Sequence, residues 1–325
     1  MSATTVCVTG GSGFLGSYVV KLLLEKGYRV NTTVRDVNDA KKVAHLLALP
    51  GAAERLELFQ ADLLEEGSYD KAIEGCAGVF HTASPFFLAN QTHESLVVPA
   101  LQGTRNVLDT CARHPSVRRV IVTSSTASVY VHLGTKPADQ IFTEADWSNV
   151  EGMEARGMWY CVSKTLAERA ALDYPKEHSV AFEVVTMCPT MIFGPMLQPV
   201  LNESSQVVYN LLTGVTKEVP NNARAVVDVR DVAAAHIAGF EVAAASGRYI
   251  LVAETTDDFE IRDAIVKAAP SALNVPTTAP PAVRAARTAV DMAKATKELG
   301  ISFRPLDEMV QSTCDSLQQH GFVRF

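Results

Sequence analysis

In the first half of the chain, short runs of β-branched and apolar residues alternate with longer stretches whose apolar positions recur at helical spacing. TTVCVTG stands before SYVVKLLLEKG, RVNTTVRD before AKKVAHLLAL, and RLELFQADL before SYDKAIEG. GVFHTAS precedes a predicted helix around Leu96 to His114, and RRVIVTSS precedes a loop and a helix containing MWYCVSKTLAE. Strands this uniformly apolar are buried on both faces, and their alternation with helices is the pattern of a parallel sheet covered on both sides. The pattern predicts an α/β fold with a doubly wound parallel sheet. FEVVTMCP adds a strand that ends at Pro189, after which the periodicity becomes irregular. AVVDVRDVAAAHIAGFE and GRYILVAE read as later returns to the sheet. The expected division is a first domain over 1–189 and a smaller, interleaved lobe over 190–325, with segments near 226–255 returning to the sheet side.

Composition narrows the partners. The chain has 325 residues, 47% hydrophobic and 20% charged, with a formal net charge of -7, which is the profile of an ordinary globular protein. An acidic chain without a Lys/Arg stripe is poorly suited to nucleic acid or anionic membranes, since both need concentrated positive charge; a small molecule is the expected partner. The sequence enters the apolar run TTVCVTGG almost at once, and the Ala-rich run Val232 to Ala245 is interrupted by His236 and Glu241. Neither a secretory leader nor a spanning helix is expected, and the expected compartment is the cytoplasm. The six cysteines lack CxxC spacing, so they read as reduced and structural, with no metal site.

TGGSGFLGS places Gly10, Gly13 and Gly16 directly between a strand and a helix. That context suits a dinucleotide: a tight turn, a backbone that approaches the pyrophosphate, and a helix N-terminus facing the phosphates. The expected cradle is Gly10, Ser12, Gly13, Phe14, Leu15 and Gly16, which makes the first domain Rossmann-type. The second strand ends VRD. Asp36 would accept from a ribose hydroxyl and favour NAD, whereas Arg35 would pair a 2′-phosphate and favour NADP; Lys41 and Lys42 nearby tilt the expectation to NADP. Asp62 and Leu63 at the end of the third strand are placed at the adenine. HTAS brings Thr82, Ala83 and Ser84 beside the cofactor, with His81 expected to be a packed polar residue without a chemical role.

TSSTASVY closes the fifth strand, at the carboxyl edge where open α/β sheets place ligands, with Thr123 beside the cofactor. Hydride added to a carbonyl leaves an alkoxide that needs a proton and hydrogen bonds. Tyr160 supplies a phenol, and Lys164, one helical turn on, shares its face. The lysine is expected to lower the phenol's pKa and to orient the nicotinamide ribose. Ser124 or Ser125 would hold the substrate oxygen.

The order TGGSGFLG, VRD, ADL, GVFHTAS, TSS, YCVSK, CPTMIFGP resembles the extended short-chain dehydrogenase/reductases, specifically the group of dihydroflavonol reductases, cinnamoyl-CoA reductases and fungal NADPH-dependent aldehyde or ketone reductases. The resemblance extends through GPMLQP, LLTG, VVDVRDVAAAHI and SGRYILVAE to the C-terminal helix. It implies Ser125, Tyr160 and Lys164 as catalytic residues, Arg35 and Lys42 on the NADP phosphate, Pro189 and Thr190 flanking the nicotinamide, and Ser204 as a further cofactor contact. It also implies a monomer or homodimer. Departures bear on the substrate. Tyr130 replaces the asparagine with which dihydroflavonol reductases grip flavonoid hydroxyls. Val207 and Asn210 replace the histidine and lysine with which plant cinnamoyl-CoA reductases are suited to CoA, and YCVSK replaces YCYGK. The expected activity is reduction of a free aldehyde or ketone with an apolar or aromatic body, with Tyr130, Met191, Phe193 and Val207 as pocket walls beside Ser125 and Tyr160. The other readings are cinnamoyl-CoA or dihydroflavonol reduction proper, a nucleotide-sugar epimerase or dehydratase with tightly held NAD, and a dinucleotide-sensing protein without catalysis.

Overall fold

The computed structural model describes residues 3–84, 91–137 and 139–325. Strand β1 (Thr5–Thr9) leads into α1 (Phe14–Glu25), β2 (Arg29–Val34) into α2 (Ala40–Leu47) and α3 (Ala52–Arg55), and β3 (Leu56–Gln60) into α4 (Asp70–Ile73). β4 (Gly78–His81) is followed by α5 (Val98–Arg113). β5 (Arg119–Thr123) is followed by the short β6 (Ile141–Phe142), α6 (Val150–Glu154) and the long α7 (Trp159–His178). The chain then forms β7 (Glu183–Pro189), β8 (Met191–Phe193), α8 (Glu203–Leu212), β9 (Ala223–Asp228), α9 (Val229–Glu241), β10 (Gly247–Leu251) and β11 (Glu254–Asp257). It ends with α10 (Asp258–Ala268), β12 (Ala289–Val290), α11 (Ala293–Leu299) and α12 (Leu306–Gln319).

Seven strands form one sheet in the order β10-β7-β5-β4-β1-β2-β3, and every neighbouring pair in it is parallel. Alternate residues of a strand face opposite sides, and both sides are apolar here. Val6, Val8, Ile121, Val185 and Met187 pack with α1 and α9, while Cys7, Val79, Val120, Val122 and Val184 pack with α4, α5 and α7. This is the doubly wound arrangement predicted from the alternating pattern. Chain order reverses between β1 and β4, and open α/β sheets bind ligands at such a switch point, beyond the carboxyl ends of the strands.

Of the two later segments, GRYIL forms β10 and joins the central sheet beside β7. Ala223–Asp228 instead pairs with β8 and β11 in a small three-stranded sheet, and α9, capped by Asp228 Oδ1 on the Arg230 amide at 2.8 Å, carries the chain back onto the large one. The small sheet and α8, α10 and α12 enclose a core of their own, containing Met196, Val208, Phe259 and Met309. Phe14, at the start of α1, packs against both this core and the main one. The glycine loop is thus pinned between the two layers.

Two glycines in that loop are required by geometry. Gly10 has φ of +69°, and a Cβ on Gly16 would lie 2.4 Å from the Gly10 carbonyl oxygen. Left-handed backbone favours glycine, and a backbone oxygen at that distance cannot turn aside as a side chain would. Gly16→Ala should therefore destabilise the protein by about 1–3 kcal/mol, read as a lowered denaturant midpoint, and should weaken dinucleotide binding in a titration.

Candidate active site

The glycine loop is stitched to the strands on either side of β1. The Gly11 amide donates to the Thr33 carbonyl at 3.2 Å, which brings the end of β2 alongside, and the Gly10 Cα is overlain by Ala83. Thr82 Oγ1 donates to the Thr9 carbonyl at 2.6 Å, and the Ala83 amide donates to Thr9 Oγ1 at 3.1 Å. Gly13 is the N-cap of α1 and brings no side-chain cap, so the first amides of the helix are left for a ligand, as an anion site requires. A Cβ on Gly10 would lie 3.0 Å from Ala83 Cα, and one on Gly11 would fall 1.9 Å from Thr32 Oγ1. Together with Ser12, Leu15 and Gly16, this is a cradle of backbone that fits a pyrophosphate.

At the end of β2, Arg35 is exposed, while Asp36 Oδ1 accepts from the Asn38 amide at 2.8 Å. The turn therefore engages the carboxylate and leaves the guanidinium outward. Lys42 pairs with Asp39 at 3.0 Å on the exposed face of α2. Asp62 is exposed at the end of β3 and accepts from the Leu64 amide at 2.8 Å. Leu63 packs onto α5, where a Cβ on Gly103 would meet it at 2.2 Å.

Tyr160 and Lys164 lie on one face of α7, opposite the ends of β4 and β5. Ser125 Oγ accepts from the Ala127 amide at 3.1 Å, which turns its proton outward, on the side of the Tyr160 phenol. Burial pushes that phenol up to about 12, with Ser125 opposing the rise. Lys164 is 8% exposed, and burial brings its ammonium down to about 8, with Glu168 opposing. Lys164 Nζ donates to Ser84 Oγ at 3.1 Å and reaches the Thr123 carbonyl at 3.5 Å. This corrects the expectation that the lysine lowers the phenol's pKa. Its stem carries the charge to the sheet edge, so desolvation decides and Tyr160 stays protonated. Ser124, the other candidate serine, donates to Glu168 Oε2 at 2.7 Å and faces inward. His81 is buried against Thr9 Oγ1 at 2.9 Å, and burial lowers it to about 3, so it stays neutral.

Several groups at this site were not singled out from the sequence. His236 Nδ1 lies 2.8 Å from the Val232 carbonyl, which only accepts, so that nitrogen carries the proton. Burial lowers the ring to about 4 and keeps it neutral, so Nε2 accepts from Thr123 Oγ1 at 2.8 Å. The side chain of Thr123 is thereby fixed from behind. Glu168 continues the Tyr160, Lys164 face by one more helical turn, and that spacing is the signal that could have found it. Arg248, its partner at 2.9 Å, is eighty positions away and carries no local signal. Ser84, Thr123, Ser124, Lys164 and Glu168 line one cavity of about 20 Å³, too small for a substrate and a measure of how closely they converge.

On the substrate side, Tyr130 Oη accepts from Thr126 Oγ1 at 3.0 Å and lies 3.5 Å from Thr190 Oγ1, which donates to the Ala225 carbonyl at 2.9 Å. Tyr130 thus sits beside Thr190, next to Pro189 at the end of β7. Met191 and Val207 are partly exposed and pack against the small core. Phe193 has 0% exposure inside that core, so it offers no surface to a ligand and is not a pocket wall. Ser204 occupies the first turn of α8 and is partly exposed.

Residues 7–245 match the family model described as the 3-beta hydroxysteroid dehydrogenase/isomerase family. The chain is 43% identical over 322 residues to cinnamoyl-CoA reductase CAD2 of Medicago truncatula, covering 98% of this chain and 97% of that one. It is 41% identical over 320 residues to tetraketide alpha-pyrone reductase 1 of Arabidopsis thaliana, covering 98% and 96%. Among solved structures, yeast methylglyoxal/isovaleraldehyde reductase Gre2 complexed with NADPH superposes with a TM-score of 0.87 at 28% identity, over 98% of this chain and 100% of that one. The chain belongs to the 3-beta hydroxysteroid dehydrogenase/isomerase family and is an oxidoreductase of the extended short-chain dehydrogenase/reductase kind, in the cinnamoyl-CoA and dihydroflavonol reductase group.

Proposed function

We propose that the protein reduces a free aldehyde or ketone with an apolar or aromatic body to the alcohol, with NADPH as reductant and Ser125, Tyr160 and Lys164 as the catalytic residues. The observation that carries this reading is the convergence of the Ser125 turn, the buried Tyr160 phenol and Lys164, which reaches Ser84 and the Thr123 carbonyl, at the sheet edge that also carries the glycine loop. The cofactor is NADP(H), and bound there it supplies the hydride that converts the carbonyl carbon to an alkoxide carbon. Tyr160, protonated at neutral pH, donates its proton to the nascent oxygen. Ser125 donates a hydrogen bond to the same oxygen, because the Ala127 amide already occupies one of its lone pairs. Lys164 holds a positive charge at the sheet edge and orients the ribose through its remaining donors. Arg35 receives the 2′-phosphate, and Pro189 and Thr190 bound the nicotinamide. Val207 and Asn210 stand in place of the histidine and lysine that suit plant cinnamoyl-CoA reductases to CoA, which favours a free carbonyl over a CoA thioester.

Tyr160→Phe should lower kcat by about 10²–10⁴-fold while leaving NADPH affinity, measured by fluorescence titration, unchanged; turnover at the native rate would end the mechanism. A panel of cinnamaldehyde, isovaleraldehyde and cinnamoyl-CoA should show consumption of NADPH with an aldehyde and little with the thioester. Arg35→Gln should raise the KM for NADPH by about ten- to hundredfold and leave that for NADH unaltered, since a charged hydrogen bond contributes about 1.5–3 kcal/mol. In the pH dependence of kcat/KM for NADPH, which reports the free enzyme, Tyr160 remains protonated until about pH 12 whereas Lys164 loses its charge above about pH 8. The profile should therefore fall on the alkaline side of pH 8.

A further inference from the structure

Glu168 is 1% exposed, one turn beyond Lys164 and two beyond Tyr160 on α7. Its carboxylate is surrounded by donors from other parts of the fold. Ser124 Oγ donates to Oε2 at 2.7 Å, and Ser128 Oγ donates to the same oxygen. From β7, Thr186 Oγ1 donates to Oε1 at 2.6 Å and Cys188 Sγ at 3.1 Å. From β10, Arg248 grips both oxygens, Nε on Oε1 at 2.9 Å and Nη2 on Oε2 at 3.2 Å. Arg248 is held in turn by the Trp147 ring, 3.7 Å from its guanidinium carbon, and by the Glu144 carbonyl at 2.9 Å. The carboxylate thereby ties the turn that carries Ser125 to the helix that carries Tyr160 and Lys164.

The reduction itself gives this carboxylate no step, because an ionised carboxylate donates nothing. We propose that Glu168, clamped by Arg248, is a positioning residue for the reduction: it fixes the Ser125 turn against the Tyr160 and Lys164 face and places a negative charge one helical turn from the lysine. This rests on the Ser125, Tyr160 and Lys164 reading above. The titratable groups facing Lys164 are His81 from β4, Cys188 from β7, and Tyr160 and Glu168 on its own helix. His81 is neutral, and burial keeps the thiol and the phenol protonated. Burial also pushes the Glu168 carboxyl up, but the Arg248 hydrogen bond and charge win and keep it ionised. Among the described groups facing Lys164, Glu168 is thus the charged one, and its own counter-ion is Arg248.

The test uses the full-length enzyme with NADPH and whichever of cinnamaldehyde, isovaleraldehyde and cinnamoyl-CoA the unaltered protein reduces fastest. Glu168→Gln should lower kcat by about ten- to hundredfold with both KM values little changed, and should move the alkaline fall in kcat/KM for NADPH to lower pH. The sign follows because removing the negative charge makes the ammonium easier to deprotonate. Ser124→Ala cuts one tie and keeps the charge, so it should lower kcat severalfold and leave the alkaline limb in place. A Glu168→Gln enzyme with unaltered kcat and limb overturns the proposal. So does one whose losses follow only its thermal stability and NADPH affinity with the limb unmoved. If Glu168→Gln does not fold, Ser124→Ala decides, and an unaltered kcat there overturns the proposal. Tyr160→Phe run in parallel separates the two levels. Its survival as an active enzyme, or an unaltered protein that turns over none of the three compounds, removes the catalytic reading and this inference with it. An inactive Tyr160→Phe beside native-like Glu168→Gln and Ser124→Ala removes this inference alone.

Discussion

All seven strands of the central sheet run the same way and helices cover both of its faces, so polar side chains that must meet a ligand have the strand ends as their place. The glycine loop after β1, Arg35 beyond β2, Ser84 beyond β4, Thr123 and Ser125 at and beyond β5, and Thr190 beyond β7 all leave the sheet at one edge. Helix α7 then lays Tyr160 and Lys164 across that edge. Polar groups from positions more than a hundred residues apart become neighbours without any loop having to reach far.

The same covering of both faces decides the electrostatics. A phenol and an ammonium on one helix face would attract in the simplest picture, yet each is desolvated and each moves toward its neutral form, Tyr160 up to about 12 and Lys164 down to about 8. For reduction this is favourable, since a protonated phenol is the species that donates. Deeper still, the Glu168 and Arg248 pair is fully surrounded by hydrogen-bond partners. Separating such a pair by removing one member typically costs about 3–5 kcal/mol, because the other charge is left buried and uncompensated. That penalty binds α7, β7, β10 and the Ser124 to Ser128 turn into one unit.

The fold was legible because the apolar runs were short, β-branched and regularly interrupted; FEVVTMCP and TTVCVTG could hardly be anything but buried strands. Gly10, Gly13, Gly16, Tyr160 and Lys164 were legible because local spacing carries their meaning. Arg248 was not, since its role depends on a partner eighty positions away, and neither was the use of His236 to fix Thr123, since a histidine in an Ala-rich helix gives no hint of what faces it. Phe193 illustrates the opposite error. An apolar residue three positions past a threonine expected to flank the nicotinamide suggested a pocket wall, but the short β8 strand turns it inward to the small core. The direction of the Tyr160 shift was misread for a similar reason: helical spacing fixes which residues share a face, whereas desolvation depends on what the rest of the chain lays over them.

In the proposed reading, substrate choice rests on Tyr130, beyond β5, and on Met191 and Val207 of the smaller lobe, with Asn210 in place of a cation. The chemistry, in contrast, rests on the sheet edge alone and can be tested apart from substrate identity. The most direct measurement is the fate of the hydride. With NADPH carrying deuterium at the transferred nicotinamide position and cinnamaldehyde or isovaleraldehyde as acceptor, the product alcohol should contain one deuterium on the carbinol carbon by mass spectrometry. An alcohol formed without deuterium from either face of the labelled ring, or an enzyme that binds NADPH and never oxidises it, would contradict direct carbonyl reduction at this site.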